Sequence, residues 1–156
     1  MAAASETEIE SLLTIVRGIY EDLPFNRLLG LSVAFLKIDE AGFSFSMQND
    51  LIGNAVHGIL HGGVISAVLD VTGGMTATAS AVDRMRGLSF GEISERIARI
   101  GTIDMRVDYI RPGRGTKCYS SGKVMRAGRK VAVTRMELKN SEDVLIAVGT
   151  GAYIVG

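Results

Sequence analysis

The sequence predicts an α+β fold, in which a sheet of about six antiparallel strands packs against one long helix. Two stretches of alternating apolar residues, between positions 31 and 47, precede a long apolar segment at residues 61–82. Alternation with period two returns after residue 102 and continues to the end of the chain. Because short connections favour antiparallel neighbours, two strands, one apolar helix and four more strands form an α+β plan.

Length and composition restrict the class of protein further. The 156 residues suit a single domain, 1–156, and a hydrophobic content of 47% argues against wholesale disorder. The 17 basic residues balance the 17 acidic ones, so no cationic excess favours a nucleic acid partner. The single cysteine, Cys118, excludes an intrachain disulfide and favours a reducing compartment. We therefore expect a cytoplasmic protein, with Cys118 as a buried strand residue.

We expect neither a secretory signal nor a membrane span. Residues 1–10 lack the basic flank and the apolar run of a signal peptide. Residues 58–82 are long enough to cross a bilayer, but Asp70 lies near their middle, where an acidic side chain costs roughly 2.5–3.5 kcal/mol. The segment is better interpreted as a buried helix.

Residues 1–24 are expected to form an N-terminal helix. Ser5 and Glu8 have the spacing of a capping box, and apolar residues recur at helical intervals as far as Leu23. Pro24 is expected to end the helix, because proline lacks the backbone N–H and clashes with the preceding turn.

A hairpin is expected next, with its turn at residues 39–42. Apolar side chains at alternate positions are expected to share a buried face on each strand: Leu31, Val33 and Phe35, then Phe43, Phe45 and Met47.

The central helix, residues 61–82, lacks a broad charged face, so other elements must cover most of its surface. Gly73 and Gly74 lie inside it, and each costs about 1 kcal/mol of helix propensity relative to alanine. A helix that is apolar nearly all round, with small residues in its middle, suits the centre of a wrapped sheet.

A polar segment, residues 84–99, is expected to contain a short helix, because Ser89 and Glu92 have capping-box spacing. Residues 103–109 are the clearest strand. Three more strands are expected at about residues 116–125, 130–138 and 144–155, each antiparallel to its neighbour in sequence.

Polar residues concentrate around the start of the central helix. His57 and His61 have the spacing of a zinc-protease motif, but Gly58 occupies the position of the expected glutamate and no strong third ligand lies nearby. We therefore predict no metal site.

A second interpretation uses the backbone of Gly62 and Gly63. In the first turn of a helix, N–H groups lack intrahelical partners and favour a developing negative charge, as in an oxyanion hole. Asp70 is the candidate carboxylate, but it lies roughly 12 Å further along the helix. A second, antiparallel copy of the helix would bring both groups together, which predicts a site at a dimer interface. On spacing alone, a double glycine is also typical of a turn, and a lone aspartate of a structural group.

Around these residues the sequence resembles the PaaI-type acyl-CoA thioesterases of the hotdog fold. The matching core runs from His61-Gly-Gly to Asp70, is preceded by Asn54, and is followed by residues 101–113 with their Tyr-Ile-Arg-Pro segment. His-Gly-Gly alone is weak, but the aspartate eight residues after the first glycine makes the pattern more specific. The resemblance extends from about Pro24 to Tyr153.

The resemblance implies a sheet wrapped round the central helix, and homodimers with continuous sheets that often pair again into tetramers. It implies hydrolysis of medium- or long-chain acyl-CoA to fatty acid and CoA, with no cofactor. Asp70 would be general base or nucleophile, and the N–H of Gly62 from the partner chain would form the oxyanion hole. Asn54 would help to polarise or position the substrate, and His61 would brace the loop.

Two departures from the family pattern affect this assignment. Asn54 lies seven residues before His61, whereas related members have six. Gly74 stands where some relatives place a serine or threonine that holds the water, which leaves Thr72 as the candidate hydroxyl.

We also expect the acyl chain to lie in the apolar interface between sheet and helix, with residues 84–99 as a cover, and the coenzyme A phosphates to lie outside it. Four arginines at strand ends and turns are candidate phosphate contacts, or else ordinary solvated cations: Arg111, Arg114, Arg126 and Arg129.

Two other functions are compatible with such a fold. One is a module that binds acyl-CoA without hydrolysing it, against which the intact Asp70 and double glycine argue. The other is a hydratase, but hydratases pair a catalytic histidine with an acid, and the His-Gly-Gly context fits thioester cleavage better.

Overall fold

The computed structural model describes residues 2–156, with side chains from Glu6 onward. The helices are α1 (Ala2–Asp22), α2 (Pro24–Leu28), α3 (Gly62–Ala79) and α4 (Phe90–Ala98). The strands are β1 (Ser32–Lys37), β2 (Glu40–Ser46), β3 (Ile52–Asn54), β4 (Ile59–Leu60), β5 (Gly101–Tyr109), β6 (Lys117–Ala127), β7 (Val131–Asn140) and β8 (Leu145–Ile154). Short 3₁₀ turns lie at Asn49–Leu51 and Val82–Met85.

Six strands form one antiparallel sheet in the order β1-β2-β6-β7-β8-β5, while β3 and β4 pair separately. The predicted α+β architecture, with its N-terminal helix and long central helix, is confirmed. α3 packs across β2, β6, β7 and β8, and its C-terminal half is buried on all sides. β5 is an edge strand of the sheet, which becomes important for the site below.

Glycines allow α3 to lie close to the sheet. A Cβ at Gly122 on β6 would overlap Thr76 Oγ1, and a Cβ at Gly73 would overlap the hydroxyl group of Tyr153 on β8. Gly73 therefore lowers the helix propensity of α3 by about 1 kcal/mol relative to alanine, but it leaves the space that the Tyr153 hydroxyl group occupies.

The N-terminal region differs from the expectation in detail. α1 already begins at Ala2, and the side chain of Ser5 lies outside the described residues. Glu8 instead accepts hydrogen bonds from Arg86 Nη1 and from the Gly87 N–H. Pro24 follows the end of α1 and starts α2, because proline suits the first position of a helix.

Phe35 does not share the buried face of Leu31 and Val33. A bulge between Val33 and Phe35 shifts the register of β1 against β2 and turns the Phe35 ring to the outer face of the sheet, beside Gly42. One extra residue in a strand reverses the alternation of all later side chains, which the sequence pattern does not reveal. The turn is also shorter than expected, since β2 begins at Glu40.

β5 and β6 follow each other in sequence but do not pair. β5 lies beside β8, so the connection at residues 110–116 crosses the ends of β8 and β7. The strands are separated by three sheet spacings, roughly 14 Å, which seven extended residues easily span. The crossing is fixed by hydrogen bonds from Arg111 N to Ile146 O and from Asn140 Nδ2 to Arg114 O. The expected short helix, in contrast, is present as α4, with both halves of its capping box formed.

Candidate active site

Asp70 is half-buried on α3, on the side that faces β5 and β8. Its Oδ1 accepts a hydrogen bond from Thr102 Oγ1 at 2.8 Å, and Tyr153 Oη lies 3.3 Å from the same oxygen. Within residues 2–156, no hydrogen-bond partner of Oδ2 is found. The carboxylate is therefore held through one oxygen, while the other has no hydrogen-bond partner among the described residues.

The Tyr153 side chain is 1% exposed, and its hydroxyl also donates to the Asp70 carbonyl at 3.2 Å. Burial, and then the nearby Asp70 charge, raise the pKa of this phenol well above its ordinary value. The hydroxyl therefore stays protonated and serves Asp70 as a donor.

Thr72, the hydroxyl suggested by the sequence, faces away from Asp70. It is fully buried, lies 2.6 Å from Ser120 Oγ on β6, and donates to the Val68 carbonyl. Two residues along a helix correspond to a rotation of about 200°, which explains the opposite orientation. Thr102 is the hydroxyl that meets the carboxylate.

The start of α3 presents the backbone as predicted, but its two glycines are not equivalent. His61 is the N-cap, and its Nδ1 accepts the Gly63 N–H at 2.8 Å. Gly62 is the first helical residue, and among the described residues its N–H has no acceptor. The Gly63 N–H is thus used inside the chain, whereas the Gly62 N–H remains available to a ligand.

Tyr109, at the end of β5, fixes this first turn from the sheet side. Its hydroxyl donates to the Gly62 carbonyl at 3.1 Å, and its ring would lie 3.5 Å from a Cβ at position 62. The two residues line an open cleft of about 310 Å³, together with Ile65 and residues 110–113. An open cleft therefore lies directly beside Gly62 at the start of α3.

Asp70 and Gly62 do not meet within one chain. Asp70 contacts Thr102 at the start of β5, whereas Gly62 contacts Tyr109 at its end. Along α3 they are separated by roughly 12 Å. The two halves of the candidate site are thus well formed but apart.

Asn54 and His57 belong to a turn that precedes the helix. Asn54 Oδ1 accepts the N–H groups of Val56 and His57, both at 3.1 Å, so its carbonyl stabilises the turn. Between His57 and His61 the chain runs through β4, and not through a helix. The helical pairing that the zinc-protease spacing requires is therefore not formed.

The four candidate arginines are exposed and form two separate pairs. Arg111 and Arg114 lie in the β5–β6 connection, where they donate to the carbonyls of Leu145 and His57. Arg126 and Arg129 lie near the other end of β6, a strand of 11 residues that spans roughly 35 Å. One protomer cannot direct all four at the same phosphate group.

A second cleft, of about 390 Å³, lies between α2 and the first turns of α3. Its apolar lining includes Phe25 and Leu28, which are 51% and 72% exposed, and Val64 and Ala67 on α3. Ala67 is one helical turn before Asp70, so the cleft follows α3 towards the carboxylate.

Three hydroxyl-bearing residues of the candidate site have no distinguishing motif in the sequence: Thr102, Tyr109 and Tyr153. All three lie on β5 or β8, and their side chains face α3. The available indication was the position of these hydroxyls at the ends of predicted strands, but only the pairing of β5 with β8 brings Thr102 opposite Tyr153.

Two further observations concern residues away from this site. Cys118 is buried on β6, and burial raises the pKa of its thiol to about 11. Among the described residues, no helix combines the length and the hydropathy that a bilayer span needs.

Comparison with known proteins agrees with this architecture. Residues 57–147, more than half of the chain, match the thioesterase superfamily. The medium/long-chain acyl-CoA thioesterase YigI of Escherichia coli is 44% identical over 134 residues, which cover 86% of each protein.

Solved structures give the same result for the fold. A Shewanella oneidensis protein described as related to the thioesterase superfamily is 45% identical, with a TM-score of 0.88 over 95% of this chain and 97% of its own. The Escherichia coli PaaI protein, at 16% identity, has a TM-score of 0.76 over 96% of each chain, which shows the shared fold. The fold is thus the hotdog fold, and the chain belongs to the thioesterase superfamily.

Proposed function

We propose that this chain is an acyl-CoA thioesterase that hydrolyses medium- and long-chain fatty acyl-CoA to fatty acid and CoA. Membership of the superfamily makes it a thioester hydrolase. The observation that carries the proposal is that α3 presents both a carboxylate held through one oxygen, that of Asp70, and an N-terminal N–H without an acceptor among the described residues, that of Gly62. The similarity to YigI and the apolar cleft beside α3 support the proposed chain-length class.

In the proposed reaction Asp70 Oδ2 takes a proton from water, and the water oxygen attacks the thioester carbonyl carbon. The carbonyl oxygen becomes negatively charged and is stabilised by the Gly62 N–H and the positive end of α3. The C–S bond then breaks, the carbonyl re-forms, and the thiolate of CoA takes the proton from Asp70. A thiol with an ordinary pKa near 8.5 is a good leaving group, so few catalytic groups are needed.

Each site is proposed to combine two chains, because Asp70 and Gly62 of one chain are too far apart. β5 offers a free edge for a second copy, since in the described sheet it pairs on one side only. Ile103 and Tyr109 on this edge are more than half exposed, and an exposed apolar edge strand is prone to pair with another strand. Antiparallel pairing of two β5 strands would join the sheets and place Asp70 near Gly62 of the partner subunit. We expect a homodimer, with tetramers formed from two such dimers.

The substrate is proposed to lie along the start of α3. The acyl chain would occupy the cleft between α2 and α3, and the phosphates of CoA would meet Arg111 and Arg114 beside the Gly62 cleft. Each of these arginines uses only part of its hydrogen-bonding capacity within the chain. We place the reaction in the cytoplasm, where acyl-CoA is available.

Hydrogen bonds within the chain limit what three of the predicted site residues can do for a substrate. His61 braces the loop through Gly63, whose N–H is therefore not an oxyanion donor. The Asn54 carbonyl shapes the preceding turn, which leaves only its amide NH₂ for a substrate.

The test is release of free thiol from acyl-CoAs of graded length by wild type, Asp70→Asn and Asp70→Ala, with binding of the same acyl-CoAs measured in parallel. Glu95→Gln, which changes an exposed carboxylate on α4, is the matched control. We expect activity with medium and long chains that both Asp70 variants lose by a factor of 10²–10⁴, a typical contribution of a general base. Binding without thiol release by wild type would support the non-catalytic module instead.

A further inference from the structure

The hydroxyl group of Tyr153 reaches the central helix from the opposite side of the core. Its ring lies on β8 and is almost completely buried, yet its oxygen contacts both the main chain and the side chain of Asp70, at 3.2 and 3.3 Å. The Tyr153 side chain therefore does more than fill volume in the core, because its hydroxyl group is hydrogen-bonded to Asp70, the one acidic residue of α3.

Two glycines leave room for this approach. A Cβ at Gly73 would overlap Tyr153 Oη, and a Cβ at Gly151 would lie 2.8 Å from it. Real Cβ atoms do not approach an oxygen so closely, so any larger residue at either position would displace the hydroxyl from Asp70. Glycine at positions 73 and 151 thus leaves the space through which the Tyr153 hydroxyl group reaches the Asp70 carboxylate.

Thr102 completes the arrangement from the neighbouring strand. Thr102 and Tyr153 are directly paired residues of β5 and β8, and both hydroxyls face Asp70 Oδ1. The raised pKa of the Tyr153 phenol keeps it a donor at neutral pH, and therefore it cannot compete with Asp70 for a proton. Two donors on Oδ1 restrict the rotation of the carboxylate about its χ2 angle, and Oδ2 has no hydrogen-bond partner among the described residues.

We propose that Tyr153 is a positioning residue for Asp70: it fixes the rotation of the carboxylate so that Oδ2 faces the attacking water. This inference rests on the proposed function and adds to it a residue that does not touch the substrate. Because Tyr153 acts through Asp70, its removal should lower kcat and leave substrate binding intact.

The experiment compares Tyr153→Phe with Tyr20→Phe. Tyr20 is a matched control, because its hydroxyl is also buried against α3, 2.9 Å from Thr78 Oγ1, and among the described residues no hydrogen bond joins it to Asp70. We expect Tyr153→Phe to lower kcat about tenfold, as loss of a hydrogen bond to a charged group does, with unchanged KM. Tyr20→Phe should lose similar thermal stability and retain the kcat of wild type.

A double variant separates positioning from a general structural effect. In an Asp70→Asn background, Tyr153→Phe should cause no further loss of the residual rate, because both changes act on the same group. Wild-type kcat in Tyr153→Phe, or equal losses of kcat in Tyr153→Phe and Tyr20→Phe, would overturn the inference while Asp70 kept its role. An inactive wild type would instead overturn the proposed function, and this inference with it.

Discussion

Thr102 lies directly opposite Tyr153 across the β5–β8 ladder, and the two hydroxyl groups meet the same oxygen of Asp70 from adjacent strands. The two residues differ in environment, since Tyr153 is buried in the core and Thr102 is exposed at the sheet edge. The hydrogen bond from Tyr153 is therefore shielded from solvent, while the one from Thr102 is exposed to it.

Thr102→Val should therefore reduce activity without reducing stability. Valine has nearly the same shape as threonine but no hydroxyl, so Asp70 Oδ1 loses its 2.8 Å donor. We expect kcat to fall about tenfold, and the free energy of unfolding to change by no more than about 0.5 kcal/mol, as is usual at exposed positions.

Thr72→Val is the matched control on the other face of α3. It leaves the buried hydroxyl of Ser120 without its 2.6 Å partner, which should cost about 1–3 kcal/mol of stability and leave kcat unchanged. Thermal unfolding and thiol-release kinetics of both variants decide the matter. A larger loss of kcat in Thr72→Val than in Thr102→Val would reverse the assignment.

Asp70 could be selected as a candidate from the sequence, because a charged residue inside an apolar helix is conspicuous whichever strands the helix packs against. Thr102 could not, because its contact depends on which strand lies beside β5. Local connection length favoured β6 as that neighbour, whereas the sheet places β8 there.

Phe35 illustrates a different limit of the sequence pattern. Its alternation with Val33 is regular in sequence, but the bulge between the two residues places them on opposite faces of the sheet. A bulge costs one unpaired residue and has no fixed composition, so period-two patterns continue through it unnoticed. The helix cap at His61, in contrast, joins residues that are close in sequence, and a brace at this residue was implied by the family resemblance.

Gly62→Pro should abolish activity without disturbing the fold. Gly62 is the first residue of α3, where proline is favoured, and His61 has the extended conformation (ψ 136°) that precedes proline readily. The substitution therefore removes little except the free N–H.

A mixture of two inactive variants tests whether each site combines two chains. If it does, Gly62→Pro mixed with Asp70→Ala should regain activity. A random mixture should reach roughly one quarter of the wild-type activity, since half of the dimers are mixed and each of these has one intact site.

The control for subunit exchange is native mass spectrometry of the same mixture with one variant isotopically labelled. Circular dichroism of each variant alone checks that it is folded. Proven mixed dimers that remain inactive would contradict a shared site.

Ala67→Leu should restrict the accepted length of the acyl chain. Ala67 lines the cleft between α2 and α3, and the larger side chain would fill part of its 390 Å³. We expect kcat/KM to fall about tenfold for long chains and to stay unchanged for short ones, because a few blocked methylenes are worth about 0.8 kcal/mol each. Ala98→Leu, at an exposed position on α4, is the control. An equal fall at all chain lengths would place the acyl chain elsewhere.

Arg111→Gln combined with Arg114→Gln should weaken binding of the CoA part of the substrate. Both arginines lie in the β5–β6 connection, next to the cleft that opens on Gly62, so they can meet phosphates of a substrate whose carbonyl lies at the Gly62 N–H. We expect KM to rise about tenfold at low ionic strength, with the difference from wild type shrinking as salt screens the phosphates. An acyl-pantetheine substrate, which lacks the nucleotide and its phosphates, should show no such difference.

Arg126→Gln combined with Arg129→Gln is the comparison pair. It removes the same charge about 35 Å away on the same protomer and should leave KM unchanged. The β6–β7 turn lies at the end of the sheet that carries Asp70, because Ala127 pairs with Ala132 and Ala132 pairs with Tyr153. A larger rise of KM in that second pair would therefore mean that the phosphates meet the subunit that supplies Asp70, and not the one that supplies Gly62.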